Sequence, residues 1–186
     1  MDTAERMLTD AFDANERHAR DLTDGLTESE GTWRARPGAW SISECLDHLA
    51  VGNRVYLAAM EPAASRARAT GRVRRRDATP GLIGGWFVRS LEPPVRVKMR
   101  APSTIVPRAA PPLADAAAAF LSSHEQVVAF LRTYAGIDLA GVRFANPFIR
   151  GLRFSLATGL HVLAAHERRH LWQAWNVRRV QVNALS

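Results

Sequence analysis

The sequence has a single cysteine, Cys45, among 186 residues, so it can form neither an internal disulfide nor a thiolate metal cluster. It also lacks any apolar run of about 18 or more residues, the length a membrane-crossing helix needs. Its first helix-like segment carries Asp2, Glu5, Arg6, Asp10 and Asp13, which an ordinary signal sequence does not. The expectation is a soluble, cytoplasmic protein. Lysine is nearly missing too, since Lys98 is the only one and arginine carries almost all of the formal charge of +7. The densest basic cluster, Arg66, Arg68, Arg72, Arg74, Arg75 and Arg76, lies in a segment that reads as a loop and offers no continuous basic face. A solvated loop is therefore expected there, and nucleic acid is unlikely as the main partner. Alternating strand patterns and internal repeats are missing as well.

What is abundant is apolar residues, 47% of the chain, enough for the core of one domain spanning residues 1–186. Ala4, Met7, Leu8, Ala11, Phe12, Ala19, Leu22 and Leu26 follow one helical stripe and predict a helix over residues 3–27. Ser41 and Glu44 are spaced as a capping box, in which a hydroxyl and a carboxylate satisfy exposed backbone N–H groups, so a second helix should cover residues 41–60. Residues 62–112 hold seven prolines beyond Pro62 and read as a long loop, with Leu82 to Leu91 as a short helix covering the bundle. Further helices are predicted over residues 113–134 and 155–180, with a loop from Asp138 to Gly151 between them. This is an all-α chain: a four-helix bundle with a long crossover connection between helices two and three.

On the last helix Gly159, Leu163, His166, His170, Gln173 and Val177 share one side, so two imidazoles and an amide interrupt a core-facing stripe. Histidines at i and i+4 have Cβ atoms about 5–6 Å apart and can reach one metal ion. With only one cysteine, the other ligands must be His or carboxylate. The plainer alternative is a pair of histidines satisfied by hydrogen bonds to neighbouring helices. His166-Glu167-Arg168-Arg169-His170 also matches the His-Glu-x-x-His pattern of zinc proteases, whose Glu activates the metal-bound water. Those proteases take a third ligand downstream, and residues 171–186 contain no Asp, Glu or His. The protease reading fails there, and Glu167, about 100° around the helix from His166, is not expected to act as a base.

A third protein ligand, if the site has one, must therefore come from upstream. His161 lies nine residues before His170, about 180° around the helix. His18 and His124 sit among charged or small polar neighbours and are expected at the surface. His48 lies beside the apolar stripe of the capped second helix and would complete a three-imidazole site with an open coordination position. The five tryptophans are expected to pack in the core or under loops, and Cys45 to be a buried helical cysteine.

The segment from Pro37 to Leu49 (Pro37, Gly38, Ala39, Trp40, Ser41, Ile42, Ser43, Glu44, Cys45, Leu46, Asp47, His48, Leu49), taken with Ala165 to Ala174 around His166 and His170, resembles the DinB/YfiT-like superfamily of metal-binding four-helix bundles. This is the damage-inducible family, unrelated to the polymerase of that name. The resemblance covers the order of all four helices. It implies a site of His48, His166 and His170 holding a divalent transition metal, zinc or nickel, and it implies a homodimer. Leu171-Trp172 stands where many relatives have a small residue, which would narrow the space next to the metal. Two functions are compatible with it: a metal-dependent thiol S-transferase or hydrolase, using a small thiol or other small-molecule substrate, and a non-catalytic metal-binding or stress-related protein. In the second, Gln173, Glu44 or the long connection would close the fourth position.

Overall fold

The computed structural model describes residues 3–94 and 101–185. It is all-α, with four long helices: α1 (Thr3–Thr23), α3 (Ile42–Ala69), α5 (Leu113–Thr133) and α6 (Leu156–Leu185). Two short helices, α2 (Glu28–Thr32) and α4 (Leu82–Leu91), lie in the connections. A single 3-10 turn spans Ser103–Ile105. Among the described residues no helix is long and apolar enough to cross a membrane.

Helix α3 begins as its cap requires. The Ser41 hydroxyl accepts from the Glu44 N–H at 3.2 Å, and the Glu44 carboxylate accepts from the Ser41 N–H at 2.9 Å. The helix then runs past its expected end near Met60 to Ala69, with Pro62 inside it. A proline in a helix interior costs about 3 kcal/mol. Here Pro62 faces outward, and the buried Ala63, Ala64 and Ala67 continue the packing stripe beyond it. Arg66 and Arg68 thus lie on the last turns of a helix rather than in a loop. In the loop that follows, Arg74 pairs with buried Glu5 at 2.7 Å and Arg72 with Asp138 at 3.6 Å, so part of the basic cluster ties the chain together. Lys98 and the rest of residues 95–100 of the connection lie outside the described residues.

Helix α4 covers one side of α6, where the close approach requires Gly84: a Cβ there would meet Thr158 at 2.6 Å. The expected loop before α6 contains a small hairpin, β1 (Arg143–Ala145) against β2 (Arg153–Ser155), with Phe144 opposite Phe154. Three-residue strands are too short to show an alternating pattern, yet both phenylalanines are buried.

The interior is divided along the bundle axis. One apolar cluster gathers Phe12, Tyr56, Met60, Val127, Leu160 and Leu163; a second gathers Leu22, Leu46, Leu49, Phe120, Leu171 and Val177. Between them every long helix contributes buried polar groups: Asn15 from α1, His48 and Asn53 from α3, Ser123 and His124 from α5, and Glu167 and His170 from α6. This polar layer contains the candidate site.

Candidate metal centre

His48 of α3 and His166 and His170 of α6 converge, with one potential ligand atom from each lying within 4.8 Å of the others. Among the described residues no fourth His, Cys, Asp or Glu joins this group. His48 and His170 are buried and His166 is half-buried. The i, i+4 spacing puts two of the rings on one face of α6. The Ser41 cap starts α3 so that His48 faces them.

Two of the three rings, His48 and His170, are held from outside at a defined nitrogen. The His48 Nδ1–H donates to the Ile105 carbonyl at 2.6 Å, because a carbonyl can only accept. That leaves Nε2 as a lone pair, 3.0 Å from the His166 Nε2. The His170 Nδ1 lies 3.1 Å from the Gln173 side-chain oxygen and donates to it, which again frees Nε2. Two nitrogens each about 2.0–2.1 Å from one zinc ion stand about 2.9–3.4 Å apart at angles from 90° to tetrahedral. The observed His48–His166 spacing of 3.0 Å fits that range.

Electrostatics favour neutral rings. Burial, reinforced by the other two histidines and by Arg169, holds His170 well below the usual imidazole range. His166 is lowered likewise, by burial first and then by His48 and Arg169. Burial also lowers His48, against the opposing effects of the Ile105 bond and Asp47. A metal must displace protons from its ligands, so neutral imidazoles at pH 7 favour binding.

Other side chains depart from expectation. Trp40 is no distant packing residue: its ring centroid lies 4.8 Å from that of His48 and 5.6 Å from that of His170, forming a wall of the site. Trp86 on α4 is 65% exposed instead of packed. Leu171 turns into the second apolar cluster. Glu44 is engaged by Arg34 at 2.6 and 2.9 Å as well as by its cap, so it is not placed as a fourth ligand. His161 lies outside the group and bonds the Ala78 carbonyl, His18 is exposed, and Cys45 is buried with its thiol pushed far up by burial.

The surface assignment of His124 is wrong. It is buried, and its Nδ1–H donates to both oxygens of fully buried Glu167 at 3.2 Å. Burial alone would lower its pKa, but the hydrogen bond and charge of Glu167 raise it. Glu167 also accepts from Asn15 Nδ2 and Asn53 Nδ2, each at 2.9 Å. The carboxylate therefore points into the bundle between α1, α3 and α5, and does not work on the three-histidine face. Polar neighbours in sequence concealed His124, since its partner lies 43 residues away.

A family model described as the DinB superfamily matches residues 11–174. No curated protein matches the chain.

Proposed function

From its membership of the DinB superfamily, to which the chain belongs, and from the three converging imidazoles, we propose that it binds one divalent transition metal, zinc or nickel, through His48, His166 and His170. In the same proposal it acts as a metal-dependent thiol S-transferase or hydrolase. The observation that carries the metal reading is the pair of outer hydrogen bonds, to the Ile105 carbonyl and the Gln173 amide oxygen, which leave Nε2 of His48 and His170 free toward the group. Bound there, a divalent metal lowers the pKa of a coordinated thiol or water and polarises an electrophile. The chain's own part is to orient the rings and to keep water off one side with Trp40. Gln173 serves here as the partner of His170 rather than as a ligand. The burial of His48 and His170 favours a second reading, a non-catalytic metal-binding or stress-related protein.

Metal content by inductively coupled plasma mass spectrometry tests the first step. About one equivalent is expected in tag-free wild type, and none in His48→Ala or in the His166→Ala/His170→Ala double variant. Wild type that stays empty after incubation with zinc and with nickel would overturn the proposal. Thiol conjugation to a reactive electrophile, assayed on the loaded protein, then separates the two readings: turnover lost in His48→Ala supports the enzyme, and metal without turnover supports the second.

Gly52 offers a finer test, because a Cβ there would stand 3.2 Å from Cε1 of His166 and push the ring by tenths of an ångström. Gly52→Ala is expected to weaken zinc binding in a chelator competition while helix propensity improves by up to ~1 kcal/mol. Equal affinity for the variant and the wild type would show that His166 does not ligate from this position.

A further inference from the structure

Asp47 and His48 are consecutive on α3, and both grip the same short strap of the long connection. His48 donates to the Ile105 carbonyl. Asp47, also buried, accepts three bonds from Arg108: from its backbone N–H at 2.9 Å, from Nε at 2.9 Å and from Nη2 at 2.7 Å. Consecutive helical residues point about 100° apart, so the two grips hold the strap at two points and fix its register, which a single bond would not do. The strap itself is stiff. Ile105 N–H closes a 3-10 turn on the Pro102 carbonyl at 3.0 Å, and Pro107 restricts the backbone between Ile105 and Arg108. Ile105 is buried, whereas the Arg108 side chain is 64% exposed and has no part in the apolar core.

We infer that Arg108, acting through Asp47, is a positioning residue for His48: it sets the strap so that the Ile105 carbonyl holds the Nδ1–H tautomer and presents Nε2. The inference deepens the metal reading and rests on it for its effect on affinity. The tautomer itself belongs to the metal-free protein.

The experiment compares wild type, Arg108→Lys, Arg108→Ala and Asp47→Ala by two readouts. The first is long-range proton–nitrogen NMR of His48 in the metal-free protein, which reports which ring nitrogen carries the proton. The second is zinc affinity by chelator competition. Arg108→Ala is expected to mix the His48 tautomers and to weaken zinc, with the roughly 10–100-fold loss of an outer partner removed outright as the upper bound. Asp47→Ala, which removes all three bonds, should do more, and Arg108→Lys, which keeps the charge and the backbone bond, should do less. General destabilisation would move a urea midpoint without moving the tautomer. A single unmixed Nδ1–H tautomer in both alanine variants overturns the inference, as does wild-type zinc affinity in both. A wild type that binds no zinc yet shows tautomer mixing in Arg108→Ala overturns the metal reading and leaves the strap's control of His48 standing.

Discussion

Replacing Glu167 by alanine is expected to destabilise the protein by about 3–5 kcal/mol, the cost of removing one partner of a buried ion pair. All the groups around this carboxylate are donors: Asn15, Asn53 and His124 each present an N–H to it. His124 can shed its proton once the charge is gone, but the two amides cannot change what they are. Each stranded donor costs about 1–3 kcal/mol. Glu167→Gln keeps the volume but turns an NH2 toward a ring of donors, so an intermediate loss is expected. Urea unfolding measures both. A loss below about 1 kcal/mol for Glu167→Ala would mean that the network contributes little net stability.

The second large effect is the dependence of stability on pH and metal. The pKa values of His48, His166, His170 and His124 in the folded state depart from 6.5 in both directions, and the two signs act in separate windows. His48, His166 and His170 are lowered, so below about pH 6.5 the unfolded chain takes up protons that the native chain refuses, and stability falls with acidification. His124 is raised, so its contribution is complete below about 6.5 and is lost as pH rises through its folded value. Considering these groups alone, the metal-free protein should be most stable near pH 6.5. Zinc at 100 times its dissociation constant should add about 2.7 kcal/mol at neutral pH, and this increment should vanish in acid as the ligands protonate. Thermal unfolding from pH 5 to 8, with and without zinc, measures both limbs. An increment that persists in the His166→Ala/His170→Ala variant would place the zinc elsewhere.

The parts of this site that could be read from the sequence were those encoded locally. A one-turn spacing of two histidines, an amide three residues on and a Ser-x-x-Glu cap are each contained within a few residues; the histidine pair and the cap recur as expected, while the amide bonds His170 instead of closing the fourth position. What escaped depends on residues distant in the chain. His124 looks like a surface residue until Glu167 is brought to it from α6, and Trp40 looks like turn packing until α6 lays His170 beside it. The strap was hidden for the same reason, since nothing in Ile105 or Arg108 announces the helix residues 57 and 61 positions away that hold them. Helix α3 was underestimated because Pro62 gives a strong local stop signal, while the alanine packing that overrides it is tertiary.

The division of the interior into two apolar halves also constrains how the helices can slide. A bundle lined only with leucine and alanine tolerates a shift of one helix by a turn, about 5.4 Å, because one apolar contact replaces another. Here such a shift of α6 would drive Glu167 into one oily half and leave Asn15, Asn53 and His124 facing aliphatic carbon. The layer therefore acts as an axial ruler, penalising every misaligned packing by several stranded polar groups at once. His48 and the α6 pair face each other at the correct height because the Glu167 carboxylate, on the adjoining face of α6, favours one alignment.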